Sequence, residues 1–247
     1  MRGILTFVCL IGLLSLGGAC GSSDNPPGPL AKHFDEMYIA ALPLDQKATV
    51  VSSQQNWNVA RMENANADAQ LKEADSQLHQ ARNDQKASRL AMDSAASNKK
   101  SADTSADMNR INQAAKDQAT ANDVGKAADA RVKYLETYRA YLGRFLRYTQ
   151  ENMYFREAEF EQAKAQLAKT NNIAPKGVTY ESFPKQLDER KSRTDSAKSK
   201  SESAKASVSS QRDNWLHIQE NADKENGHAG VYWDPMAPKA QPTTSSN

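Results

Sequence analysis

Two stretches of the chain carry apolar and small residues on a seven-residue repeat, with polar residues almost everywhere else. In the first, one position reads Asn64, Leu71, Leu78, Gln85 and Met92, and its companion reads Ala60, Ala67, Ala74, Ala81, Ser88 and Ala95. Spacings that alternate between three and four put both sets on one stripe of a helix, the pattern of a coiled-coil seam. Alanine at nearly every turn of that seam predicts close approach by a neighbouring antiparallel helix. In the second stretch, Leu187, Thr194, Ser201, Val208, Trp215 and Ala222 alternate with Arg190, Ala197, Ala204, Gln211 and Ile218. This seam is thin at its start and apolar at its end. Between the two lies the most apolar region. Tyr134, Tyr138, Tyr141, Phe145, Tyr148 and Phe155 recur there at helical spacing, flanked by Leu135, Leu142 and Leu146 and continued by Phe160, Ala163 and Leu167.

Residues 44–174 contain no proline and only two glycines, Gly125 and Gly143. Proline costs about 3 kcal/mol in a helix interior, so its absence over such a length predicts helix throughout. One straight helix of that size would reach about 195 Å at 1.5 Å per residue, so the chain is expected to fold back on itself. Asn171-Asn172 and Pro175-Lys176-Gly177 mark the end of one helix, residues 180–184 the turn into the last, and Gly227 its end. The first reversal is placed near 98–103, which gives helices of comparable reach, with 122–125 beside Gly125 as the alternative. Acidic residues precede basic ones by four at Asp68–Lys72, Asp129–Lys133, Glu189–Arg193 and Glu220–Lys224, the spacing of exposed helical ion pairs. The expected fold is all-α: an elongated antiparallel bundle or coiled coil of about three long helices over residues 44–227.

The first 19 residues have a different character. Arg2 precedes an apolar run from Ile4 to Leu16 and then small residues, the layout of a cleaved secretory signal. The run is too short to span a bilayer, which takes roughly 20 residues. The sequence Leu16-Gly17-Gly18-Ala19-Cys20-Gly21 resembles the lipobox of bacterial lipoproteins, with Leu16 one place further from the cysteine than that family usually has it. The resemblance covers residues 1–23 and implies an acylated Cys20 (diacylglycerol and palmitate-type chains) as the first residue of the mature protein. It also implies, with Gly21 rather than aspartate after the cysteine, an outer-membrane location facing the periplasm in preference to the inner membrane. Cys9 lies in the segment that would be removed, so Cys20 would have no disulfide partner. Buried acyl methylenes at about 0.8 kcal/mol each make several chains a stable anchor. Residues 20–43 then read as a disordered tether rich in Gly, Ser and Pro, carrying a short helix with Leu30, Phe34, Met37, Tyr38 and Ala41 on one face. Residues 228–247 read as a mobile Pro/Ser/Thr-rich tail, with Tyr232-Trp233 free to dock on the bundle or to bind elsewhere.

Charge and composition narrow the function. The formal net charge is +2, without the basic excess a nucleic-acid partner calls for. The mean hydropathy is −0.78, and much of the hydrophobic fraction is alanine, too little for a compact globular core of this length. No catalytic constellation is evident. His33, His79, His217 and His228 do not pair at ligand spacing, no phosphate loop or nucleophile elbow occurs, and no metal or other cofactor is implied. Glu157, Glu159 and Glu161, and the lysines and arginines of 185–205, read as solvated helix faces. The aromatic stripe Tyr134, Tyr138, Tyr141, Phe145, Tyr148 and Phe155 reads as core, and also stands as the candidate interaction face. The expected function is that of a non-enzymatic structural or adaptor lipoprotein. It would be held by lipid at the membrane and bind a helical protein or a second copy, with no small-molecule substrate. Two alternatives share the same features. One is a component of an envelope transport or secretion assembly, since alanine-rich helical hairpins are similar in texture to those of efflux tunnels and their adaptors. The other is a peptidoglycan-binding module that uses the aromatic stripe.

Overall fold

The computed structural model describes residues 26–226 and 232–237; the signal segment, Cys20 and Gly227 lie outside the described residues. The body is three helices: α1 Ala48–Asp103, α2 Met108–Thr170 and α3 Ser182–Asn226, of 56, 63 and 45 residues. At 1.5 Å per residue they extend about 84, 95 and 68 Å. No strand occurs among the described residues, and the fold is the all-α antiparallel bundle that the heptads predict.

The alanine seam sits as the repeat requires. Ala60, Ala67, Ala74, Ala81 and Ser88 are buried at seven-residue intervals, and Ala102 carries the pattern past Ala95 to the end of α1. Small side chains there let α2 lie close. The register is antiparallel: Trp57 stacks on Phe160, Asn64 accepts from the Thr149 hydroxyl at 3.1 Å, and Asp84 pairs with Arg131 at 2.9 Å. The second seam is also buried, with Arg190, Thr194, Ala197, Ser201, Val208, Trp215 and Ala222 turned inward. Its partner is again α2, where Tyr134 stacks on Trp215 and Glu151 accepts from Arg193. Among the described residues, α1 and α3 each pack along α2 but not along one another. The bundle is therefore close to a layer with α2 in the middle. This explains why the aromatic and long aliphatic residues concentrate in α2, the one helix with two neighbours.

The first reversal lies at 104–107, one turn beyond the expected window. The Asp107 carboxylate accepts from the N–H groups of Asn109 and Arg110 at 2.9 and 3.3 Å and caps α2. The alternative at 122–125 is overturned. Gly125 is inside α2, where a Cβ would run into the Met92 side chain. That glycine leaves room for the Met92 side chain of α1 and makes no turn. The second reversal follows expectation. Asn172 takes a left-handed φ of 55° and the Ile173 N–H reaches back to the Ala168 carbonyl at 3.0 Å, closing α2 in the glycine-type motif with asparagine in glycine's place.

The N-terminal stretch departs from its expected form. It is not a free tether from Pro27 onward, because Pro27, Leu30, Phe34 and Ile39 are buried on the bundle. The expected short helix is a single 3₁₀ turn, Glu36–Ile39; Tyr38 meets Phe34 edge-on, ring centroids 6.0 Å apart, but Met37 does not share that face and is 69% exposed. The arm is held largely by side chain to main chain bonds. Arg190 donates to the Gly28 and Pro29 carbonyls at 3.0 and 3.2 Å, Gln186 bonds both main-chain groups of Lys32, and Glu161 accepts from the Phe34 N–H at 2.5 Å. Phe34 then completes a cluster with Val50, Phe160, Ala165, Ala168 and Phe183. This is the end of the bundle opposite the α1–α2 reversal.

Candidate interaction groove on the central helix

On α2, residues such as Thr149 and Phe160 face α1, and Tyr134 and Glu151 face α3. The heptad position between these seams reads Arg131, Tyr138, Phe145, Asn152, Glu159 and Gln166. It floors a shallow groove with α1 and α3 as walls. Near the base the groove opens into a hollow of about 490 Å³ lined from α1 by Thr49, Ser53 and Asn56, from α2 by Glu159 and Gln166, and from α3 by Leu187. Further up, a smaller space of about 80 Å³ lies among Asp84, Ser88, Arg131, Gln219 and Tyr232.

The predicted interaction stripe divides over this groove. Tyr134 is fully buried against Trp215, ring centroids 5.2 Å apart, so it is core and not an accessible face. Tyr138 and Tyr141 are half-buried on the same cluster. Tyr138, Tyr141, Phe145 and Tyr148 form a ladder with successive centroids about 6 Å apart. Phe145, Tyr148 and Phe155 are also half-buried. Phe155 stands outside the ladder, with the Arg156 guanidinium 5.0 Å from its ring.

Residues 232–237 of the tail dock over the top of the stripe. Asp234 accepts from the Tyr134 hydroxyl at 2.6 Å, from Arg212 at 2.7 and 2.8 Å, and from the Met236 N–H at 3.0 Å. Trp233 meets Tyr138 edge-on, and Tyr232 lies between Trp215 and the Arg131 guanidinium, 4.9 Å from its ring. Of the two expectations for the tail aromatics, docking on the bundle is what occurs. Burial works to raise the Asp234 pKa, but the bonds from Arg212, Tyr134 and Met236, with the Arg212 charge, outweigh it and hold the carboxyl below its usual range. Burial, with the bond to Asp234, pushes the Tyr134 phenol far above its usual value.

Both groups link the docked state to pH. A depressed carboxyl stabilises the docked state above about pH 4 and loses that contribution as pH falls through its lowered value. A raised phenol contributes fully below about pH 10 and loses its contribution on the alkaline side. The clasp is therefore expected to be closed at neutral pH and to open in acid. Acrylamide quenching of Trp233, with Trp57 and Trp215 replaced by phenylalanine, should rise below about pH 4, and Asp234→Asn should remove that step. An unchanged acid step in the Asn variant would assign it to another group.

Two buried charge clusters interrupt the solvated faces expected at 157–161 and 185–205: Glu161 is buried in the first and Arg190 and Arg193 turn inward in the second, while Lys185, Lys191, Lys198, Lys200 and Lys205 are exposed as expected. Glu151 is 2% exposed and accepts from Arg147 at 2.7 Å and Arg193 at 2.9 Å, with Arg190 4.0 Å away. Glu161 is buried with Lys164 at 2.8 Å, and burial holds the nearby Glu157 carboxyl above its usual range. Desolvation at these positions is offset by partners from another helix or from the arm, which helical spacing alone does not reveal. Glu159 does remain at the surface edge, paired with Arg156.

Among the described residues, no group of three or more His, Cys, Asp or Glu side chains is placed to hold a metal, and no helix is long and apolar enough to cross a membrane. The chain matches no protein-family model, and no curated protein or solved structure resembles it significantly.

Proposed function

We propose that the protein is a lipid-anchored scaffold of a bacterial envelope. In this reading Cys20 is acylated, the base of the bundle sits at the periplasmic face of the outer membrane, and the rod presents its long faces to a protein partner. The observation that carries it is the docked N-terminal arm. Pro26 lies six residues after Cys20, a reach of about 20 Å when extended, and the arm is fixed at the end remote from the α1–α2 reversal. A lipid on Cys20 would thus stand the rod on one end with its tip about 80 Å away. The amides, hydroxyls and aromatic rings that line the groove suit recognition. Analysis of the purified protein by mass spectrometry should find an N-terminal peptide that begins at acylated Cys20, with the intact protein partitioning into detergent. An unmodified N-terminus, or a water-soluble protein, would contradict the reading.

A further inference from the structure

The groove on α2 carries one seated segment, and that segment shows what the groove accepts. Residues 232–237 are held by side chains and not by a helix or strand of their own. A ring lies under Arg131, a second ring meets Tyr138, and a carboxylate follows on Arg212 and Tyr134. We infer that this face is a recognition groove for an extended segment of a partner protein that carries two aromatic residues followed by a carboxylate, and that residues 232–237 occupy its upper part as a tethered stand-in.

Three observations support this assignment. The first is charge complementarity. Arg212 meets the seated carboxylate, while Arg131, paired with Asp84 at 2.9 Å, offers its face to the Tyr232 ring and keeps a buried Nε without a hydrogen-bond partner. The second is continuity. The ring ladder runs on from Tyr138, where the seated segment meets it, through Tyr141 and Phe145 to Tyr148, all half-buried. Six tail residues engage only its upper end. The third is the floor below the ladder, where the hollow of about 490 Å³ offers hydroxyls and amides able to bond an extended main chain. A tethered segment acts at an effective concentration on the order of millimolar. A partner that made only the same contacts would lose to it. One that also covered Phe145 and Tyr148 gains area that the tail does not use, and displaces it.

This inference names the chemistry of the partner in the scaffold reading and depends on that reading only for the compartment. Its test is indifferent to acylation, so the two fail separately. The probe is a fluorescein-labelled synthetic peptide with the sequence of residues 230–238. It is titrated by anisotropy into the full-length chain in detergent and into the full-length Trp233→Ala/Asp234→Ala chain, whose own segment has lost its anchors. Circular dichroism melts establish that each variant is folded. The peptide is expected to bind the vacated chain at least ten-fold more tightly than the wild-type chain, and Arg212→Ala added to the vacated chain should abolish binding. A library of 12-residue peptides selected on the vacated chain should yield two aromatics followed by Asp or Glu, with affinities that fall at least ten-fold on Phe145→Ala. Equal binding to wild-type and vacated chains, or none to either folded chain, would make residues 232–237 plain core cover and overturn the inference. Cell-wall glycan fragments binding the vacated chain in place of peptide would overturn the peptide assignment.

Discussion

Replacing Glu151 with leucine is expected to lower the free energy of unfolding by about 3 kcal/mol, the low end of the range for breaking a buried ion pair by removing one partner. The carboxylate is closed to solvent and lies among Arg147, Arg190 and Arg193. Without it, three guanidinium groups face one another, with the half-buried Glu157 carboxyl still within electrostatic reach of Arg190. The cost falls mostly on Arg190, whose side chain is 10% exposed, since Arg147 and Arg193 have more access to water. The direction is diagnostic. Replacing the charges together, as Glu151→Leu with Arg190→Met and Arg193→Met, should recover part of the loss, because desolvation is then avoided on both sides, less the bonds by which Arg190 holds the Gly28 and Pro29 carbonyls. Chemical denaturation of the two variants measures both values. A single substitution with no effect would mean that the cluster is wet.

Trp215→Ala is expected to cost about 3–5 kcal/mol, and Trp215→Phe about 1 kcal/mol. The indole is buried, stacks on Tyr134 and meets Tyr232. Its Nε1 has no hydrogen-bond partner, so the ring acts through apolar area, which phenylalanine largely restores. Because the same ring supports both α2 and the tail, the alanine variant should also expose Trp233 to quencher before the bundle melts. Simultaneous loss of both signals would make the tail inseparable from the core.

The long-range plan of the fold was legible because α1 and α3 each have one neighbour, and a helix with one neighbour repeats every seven residues. The sets Ala60 to Ser88 and Thr194, Ser201, Val208, Trp215 and Ala222 are buried where the repeat puts them, while Ala204, Gln211 and Ile218 of the companion set are half-buried. Gly125 pointed only to the alternative at 122–125, for a physical reason: a glycine that leaves room for a neighbouring side chain such as Met92 looks, in sequence, like a glycine that turns the chain. Asp107 was the better signal, a capping residue just ahead of a weakly apolar helix. Charges were legible only locally. Asp68–Lys72 and Glu220–Lys224 pair along their helices as spaced. Asp129 instead meets Arg89 and Gln85 of α1, and Arg193 meets Glu151 of α2. The clasp joins Asp234 to Tyr134 across 100 residues of sequence. Helical periodicity has no term for a tail that returns to its own bundle. The aromatic pair Tyr232-Trp233 in an otherwise polar tail was the available sign.

A scaffold of this kind has to be a slender rod and not a globule with an enclosed site. Small-angle X-ray scattering of the soluble chain beginning at Ser22 tests this most directly. A rod as long as α2, about 95 Å, has a radius of gyration of about 27 Å. A compact fold of this length would give about 17 Å. The first value, with a maximum dimension of about 95 Å or more, is the expected result; the second would contradict the account.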